Sequence, residues 1–371
     1  MPDKQDFFST FVPLMQRNSM ATADKPRIHY IDFMKGLCIL FIVVSHTDST
    51  IFALLGKNLN FTLESFRIPM YYFISGIFFK TYDGLSDFVR KKVNNIIVPL
   101  VFFYLAAFVF HWLGQYLPPA QHFYGDFRWS MLWEPLYMRQ WDCNVPLWFL
   151  VSLFEVNVLY YVLQKHLTST WIVAVSAILL SVVGYYLSSQ QVTVPLVFDT
   201  ALVGLPYFIL GSMLKQHDGL KPNAIDRWGW IALLVVLVII YPFAQDINIV
   251  QRRLPNYFYL YLVPPMSILA LFWACKRLPY IPVINYIGRY SIVVLCTHYP
   301  LIRPIHRAIK TLWLKSGILP ELHISIVSVL AIIAVELLLI KLLTRYLPYF
   351  TAQKEVFCPG WHLAFKHLKT K

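Results

Sequence analysis

The apolar residues of this chain are gathered into long blocks divided by clusters of charge, proline and glycine. Several blocks reach the ~20 residues that one helical crossing of a hydrocarbon layer requires. In lipid every backbone amide must be satisfied within its own segment or a closed barrel, so blocks of this kind read as helices. Of 371 residues 58% are hydrophobic and 14% charged, whereas soluble domains average about half and about a quarter. The expected fold is therefore all-α, a polytopic integral membrane helical bundle. Cutting the blocks at charge, Pro and Gly places about ten transmembrane helices, over 31–52, 66–80, 96–114, 146–164, 170–187, 195–214, 227–244, 256–274, 283–305 and 322–347. One membrane domain, 29–347, is expected between a cytoplasmic tail, 1–28, and a basic cytoplasmic tail, 348–371.

The net charge is +13. In so apolar a chain a basic excess marks loops that face anionic lipid, and nucleic acid is not an expected partner. Lys and Arg outnumber those of the opposite side in the segments sharing a side with the N-terminus, which puts both termini in the cytoplasm. The first residues lack the apolar core of a cleavable signal peptide. Cys38, Cys143, Cys275, Cys296 and Cys358 show no C-x-x-C spacing, so neither disulfides nor a metal is expected. The connection 115–145 is rich in Trp and Tyr (Tyr116, Tyr124, Trp129, Trp133, Tyr137, Trp141), which suits an interfacial lid, a sugar-stacking surface or an aromatic belt anchor.

Ionisable residues inside spans are expensive and usually face a bundle interior or an aqueous cavity, so each is a candidate site. The first span carries Asp32, Lys35, His46 and, at its end, Asp48. At 100° per residue, Lys35 and His46 share a face ~16 Å apart along the axis, with Asp32 close to it. A neutral imidazole at His46 can accept a hydroxyl proton; the plainer alternative is a core histidine bonded to a neighbouring helix. His298 in the ninth span falls at much the same depth. Glu155 in the fourth span needs a partner, either His46 or a structural neighbour such as Asn157. Ser75 and Gly76 in the second span permit close helix approach. Arg90, Lys91 and Lys92 end a short helical stretch on the inner face, where anionic lipid or a nucleotide phosphate would be attracted.

Taken in order, Tyr30-Ile-Asp32-Phe-Met-Lys35-Gly36 with His46, Tyr72-Phe-Ile-Ser75-Gly76, Phe88-Val-Arg90-Lys91-Lys92-Val-Asn94-Asn95 through Pro99, Pro146-Leu-Trp148-Phe149, Leu205-Pro206 through Gly211, and Ile287-Gly288-Arg-Tyr-Ser291 through His298 form a pattern. It resembles the acyltransferase 3 family of membrane O-acyltransferases, which modify bacterial surface sugars and related substrates. The likeness extends from about Arg27 to Tyr346. Three positions depart from it. Lys35 stands where the family carries an arginine separated by ten residues from the histidine, keeping the charge without the planar fork. Lys92 and Asn95 stand where the family carries an inner-loop pair of arginines.

The resemblance implies a multi-pass enzyme of the bacterial inner membrane that takes an acyl group from cytoplasmic acyl-CoA, acetyl being the family's commonest, to a hydroxyl of a polysaccharide or lipid-linked sugar. It implies His46 as general base or acyl relay, oriented by Glu155 or Asp48. Lys35, Arg90, Lys91 and Lys92 would hold the donor. Asp32, Ser75, Trp148 and His298 would form substrate or structural contacts, and proteins of glycan assembly are implied as partners. A transporter or flippase of a glycan or lipid intermediate is the competing reading, since buried ionisable groups serve it as well.

Overall fold

The computed structural model describes residues 27–47, 56–116, 126–314 and 321–358. The described residues form helices α1 (His29–Thr47), α2 (Lys57–Arg67), α3 (Pro69–Ile77), α4 (Leu85–Lys92), α5 (Val98–Gly114), α6 (Trp148–His166), α7 (Thr170–Ser189), α8 (Phe198–Gln216), α9 (Gly229–Ile240), α10 (Tyr257–Cys275), α11 (Pro282–Arg289), α12 (Ser291–Leu314) and α13 (Glu321–Tyr346). A five-residue π-helical turn, Val93–Ile97, joins α4 to α5. The fold is an all-α bundle of a polytopic membrane protein.

Among the described residues, eight helical runs are long and apolar enough to cross a membrane: α1, the continuous run Leu85–Gly114, Val145–His166, α7, Pro195–Gln216, Ala224–Phe243, α10 and Leu322–Tyr346. Eight of the ten expected spans thus meet the length and apolarity of a crossing among the described residues. The second expected span is cut in two. Pro69 begins α3 at its first turn, where a missing N–H costs nothing, and α3 is only nine residues long. The ninth is interrupted at Tyr290, between α11 and α12. The longer α12 carries His298, Arg303, His306, Arg307 and Lys310 along its length. Internal prolines at 206, 264, 265, 300 and 304 are carried within long helices, which neighbouring helices and local backbone adjustment make tolerable in a membrane bundle.

Local sequence sets several helix starts. Asn223 accepts from the backbone N–H groups of Ile225 (3.0 Å) and Asp226 (3.2 Å), while Asp226 accepts from the Asn223 N–H (2.8 Å), a reciprocal cap ahead of α9. Asn256 caps α10 by accepting from the Tyr259 N–H at 2.9 Å.

Small residues let the helices cross at contact distance. A Cβ on Gly288 would lie 1.7 Å from the Asp32 carbonyl oxygen, and one on Gly36 2.1 Å from that of Ile284, so α1 and α11 touch backbone to backbone. Asn285 reinforces this crossing by donating to the His29 carbonyl at 2.6 Å. The same device joins α3 to α8: a Cβ on Gly76 would meet the Phe208 carbonyl oxygen at 1.8 Å, and one on Gly211 that of Phe73 at 1.9 Å. These crossings fix the helices that carry the polar residues.

Candidate active site

His46 lies in the last turn of α1, and its side chain is exposed. His298 on α12 is fully buried. The two imidazole centroids are 5.6 Å apart, and the Tyr299 ring stands edge-on to His46 at the same separation. His298 Nδ1 lies 2.7 Å from the Val294 carbonyl oxygen. A carbonyl can only accept, so Nδ1 carries the proton and the neutral ring keeps a lone pair on Nε2. That Nε2 is buried and has no hydrogen-bond partner among the described residues. An exposed imidazole therefore sits beside a buried one whose tautomer its own helix sets.

Beside His298, Thr297 donates to the Glu336 carboxylate on α13, with oxygens at 2.7 and 3.0 Å. Arg67 at the end of α2 is held by Glu64 (2.9 Å) and lies within electrostatic reach of His46 and Cys38. Sequence reasoning singled out neither, although Glu336 lies inside the tenth expected span and Arg67 at the start of the second, where an ionisable residue among apolar neighbours is itself the signal.

At the opposite end of α1, Lys35 pairs with Asp32 at 2.7 Å, and Arg27 lies 3.9 Å from the same carboxylate. Tyr71 donates to the Lys35 carbonyl at 2.7 Å, tying α3 to this level of α1. The lysine and the histidine thus mark two ends of one helix, ~16 Å apart by helical rise.

Glu155 on α6 is placed against other groups than His46. It lies within electrostatic reach of Asp199 and Tyr72, and its Oε2 is buried with no hydrogen-bond partner among the described residues. Tyr72 bonds the Ser152 hydroxyl at 2.6 Å one turn before Glu155. Asp199 is fully buried, ion-paired to Arg139 and accepting from Ser188 at 2.9 Å. Arg139 also donates to the Val250 carbonyl at 3.0 Å. Non-glycine residues with positive φ gather here: Arg139 (57°), Leu196 (55°), Val197 (57°) and Arg252 (59°). Such backbone strain persists where the surroundings over-determine it. Asp48 lies outside the described residues.

Ser75 on α3 accepts from Asn157 at 3.2 Å, and Asn157 also donates to the Leu153 carbonyl. Trp148 is buried at the start of α6, edge-on to Phe149 at 5.9 Å. Of the aromatic connection, Trp129, Trp133 and Tyr137 are exposed and Trp141 is buried, its ring edge-on to Tyr104 at 5.6 Å; residues 117–125 lie outside the described set.

The α4 cations are already engaged. Arg90 is 4% exposed and pairs with Asp87 on its own helix and with Glu355 beyond α13, while Lys91 also pairs with Glu355. Lys92 lies 5.7 Å from the Phe88 ring and 6.0 Å from Phe79. Asn95, at the position of the family's second arginine, is exposed. Close by, a cavity of about 320 Å³ is lined by residues including Thr81, Tyr160, Tyr161, Gln164 and Lys165. Tyr161 stacks on Phe88 at 4.5 Å, linking the cavity to α4.

A helical membrane bundle with an exposed histidine at one end of a spanning helix, a basic cluster elsewhere and an internal polar seam defines the class: a multi-pass membrane protein with an intramembrane polar site. The family model described as an acyltransferase domain matches residues 28–341, and the chain belongs to that family, acyltransferase 3. No curated protein and no solved structure matches it.

Proposed function

We propose that this acyltransferase moves an acyl group, most simply acetyl, from cytoplasmic acyl-CoA to a hydroxyl of a cell-surface polysaccharide or lipid-linked sugar, in a bacterial inner membrane with both termini cytoplasmic. The observation that carries the reading is the pairing of exposed His46 with buried His298 at the end of α1 away from Lys35. In the proposed step the acceptor hydroxyl gives its proton to His46 as its oxygen attacks the thioester carbonyl. The carbon–sulfur bond then breaks, and the departing thiolate takes the proton from the imidazolium. Proton count and charge are restored in one cycle.

His298 acts as a positioning residue: Val294 holds one ring nitrogen, and Nε2, which has no hydrogen-bond partner among the described residues, is the one left to meet the protonated His46. The donor enters from the end of α1 that carries Lys35 and from the α4 cluster, with its phosphates near Arg90, Lys91 and Lys92. The exposed Trp129, Trp133 and Tyr137 offer flat faces on which sugar rings stack. Proteins of glycan assembly are the partners that would present such an acceptor.

The test is release of CoA from labelled acetyl-CoA by purified protein in liposomes, with and without a candidate sugar acceptor, comparing wild type with His46→Ala. Turnover that disappears in a folded His46→Ala protein supports the reading. Full activity in that variant removes His46 as the base, and absence of both turnover and acyl-CoA binding in folded wild type favours carriage of a glycan or lipid intermediate instead.

A further inference from the structure

We propose that the segment Glu355–Phe357 is a built-in strap that occupies the anion-binding edge of α4 and must leave it before the donor's phosphates can bind. The inference rests on the reading of Arg90 and Lys91 as donor contacts and adds to it a control over access.

The geometry is specific about which edge is taken. Asp87, one turn earlier on α4, accepts from Arg90 Nε at 3.0 Å and from Nη2. That side of the guanidinium is therefore satisfied within its own helix. The remaining nitrogen, Nη1, donates to Glu355 Oε2 and to the Phe357 carbonyl at 3.2 Å. The other Glu355 oxygen, Oε1, takes the Lys91 ammonium. One carboxylate thus spans two cations with one oxygen each, which is how two oxygens of a phosphate would sit. An incoming anion and Glu355 compete for the same donors.

The strap is held by its backbone as well. Asn94, in the π-helical turn, accepts from the N–H groups of Val356 (2.8 Å) and Phe357 (2.9 Å) and donates to the Phe357 carbonyl at 2.9 Å. A side-chain amide here does the work of a neighbouring strand. Upstream, Phe350 stacks on Phe102 of α5 with centroids 4.2 Å apart and planes 15° apart. This anchor fixes the root of the strap, so release needs only the residues beyond it to move. The Glu355 side chain is 33% exposed, and an ion pair that wet is weak enough to exchange, whereas a donor carrying several phosphate charges brings more to the same cations. π-helical turns recur at functional sites, and this one carries the strap's receptor.

The test measures acetyl-CoA binding to the full chain in nanodiscs by calorimetry. Glu355→Gln removes the competing charge, and Val356→Pro removes one N–H to Asn94 without altering charge. Both are expected to tighten the dissociation constant, about tenfold if the strap occupies the edge about nine-tenths of the time, with thermal unfolding little changed. Arg90→Ala in the Glu355→Gln background is expected to weaken it again. Unchanged affinity in both strap variants, with Arg90→Ala still weakening binding, overturns the strap and leaves the donor site standing. Weaker binding in Glu355→Gln makes the segment part of the donor site and also overturns it. No binding to folded protein of any variant removes the donor reading, and the strap with it.

Discussion

His46 and His298 approach within 5.6 Å, ring centroid to ring centroid, although they stand on helices separated by most of the chain, and only the first is exposed. Val294 fixes the His298 tautomer, and on the proposed reading the two rings have unequal tasks: His46 would meet the substrate and His298 would set how His46 is presented. Replacing His46 by Ala is expected to lower kcat by ~10²–10⁴, the range of a lost general base. His298→Ala is expected to lower kcat by a smaller factor with the acceptor KM unchanged, and His298→Gln, which can still bond Val294, to recover part of the loss. Steady-state kinetics with purified variants in liposomes checks both. A change confined to KM would assign His298 to acceptor binding instead.

Gly288→Val places a branched side chain where even a Cβ would lie 1.7 Å from the Asp32 carbonyl oxygen. Helices α1 and α11 must separate, at a cost of about 1–3 kcal/mol for overpacking. The expected outcome is a lower midpoint of thermal unfolding in detergent, accompanied by loss of activity because α1 carries His46.

Asp199→Asn leaves the Arg139 charge without its partner in a site where the side chains are 0% and 6% exposed. Removing one member of a buried pair costs about 3–5 kcal/mol. Asp199→Asn should therefore unfold at markedly lower temperature than the double variant Asp199→Asn, Arg139→Gln, which leaves no orphaned charge. Equal midpoints for the two would show that the pair is not coupled.

Strap docking is expected to depend on pH through Glu355. Burial raises its carboxyl, but the hydrogen bonds and charges of Lys91 and Arg90 outweigh that and hold it below the usual carboxylate range. The groups facing it are Arg90 and Lys91, with Asp87 and Tyr82 nearby. A depressed carboxyl contributes its stability fully above the ordinary carboxylate range and loses it as pH falls through the depressed value. Amide exchange at Val356 and Phe357, whose N–H groups donate to Asn94, should be slow near neutrality and faster at low pH after correction for intrinsic rates. Protection that does not change with pH would detach Glu355 from the docking.

The helical membrane architecture was legible because bilayer thickness forces apolar blocks of a set length, and such blocks are visible one residue at a time. The second and ninth expected spans were less so. Their breaks, at Ile68 before Pro69 and at Tyr290, come from packing at the Gly36 and Gly288 crossing and from a proline that starts a new helix. In the site, helical counting placed Lys35 and His46 on one face, and the depth of His298 matched that of His46. The setting of Glu155 was not legible: periodicity along α6 says nothing of which helix lies opposite, and Asp199 rather than His46 occupies its electrostatic neighbourhood. The engagement of Arg90 by Glu355 joins residues 265 positions apart, partly through backbone groups that leave no trace in side-chain chemistry.

The turn Val93–Ile97 closes its hydrogen bonds five residues apart instead of four. It therefore stores one surplus residue between α4 and α5. Deleting a single residue from this stretch would let an ordinary helix run straight through, so the chain could shorten there without breaking. The flanking helices would keep nearly their present phase, because the wide turn absorbs the extra residue, and only the side chains within the turn, Asn94 among them, would be rearranged. The turn is therefore a length of slack in the chain: losing its extra residue would leave the cations of α4 on the side they now occupy but would cost the receptor that Asn94 provides for the segment Glu355–Phe357.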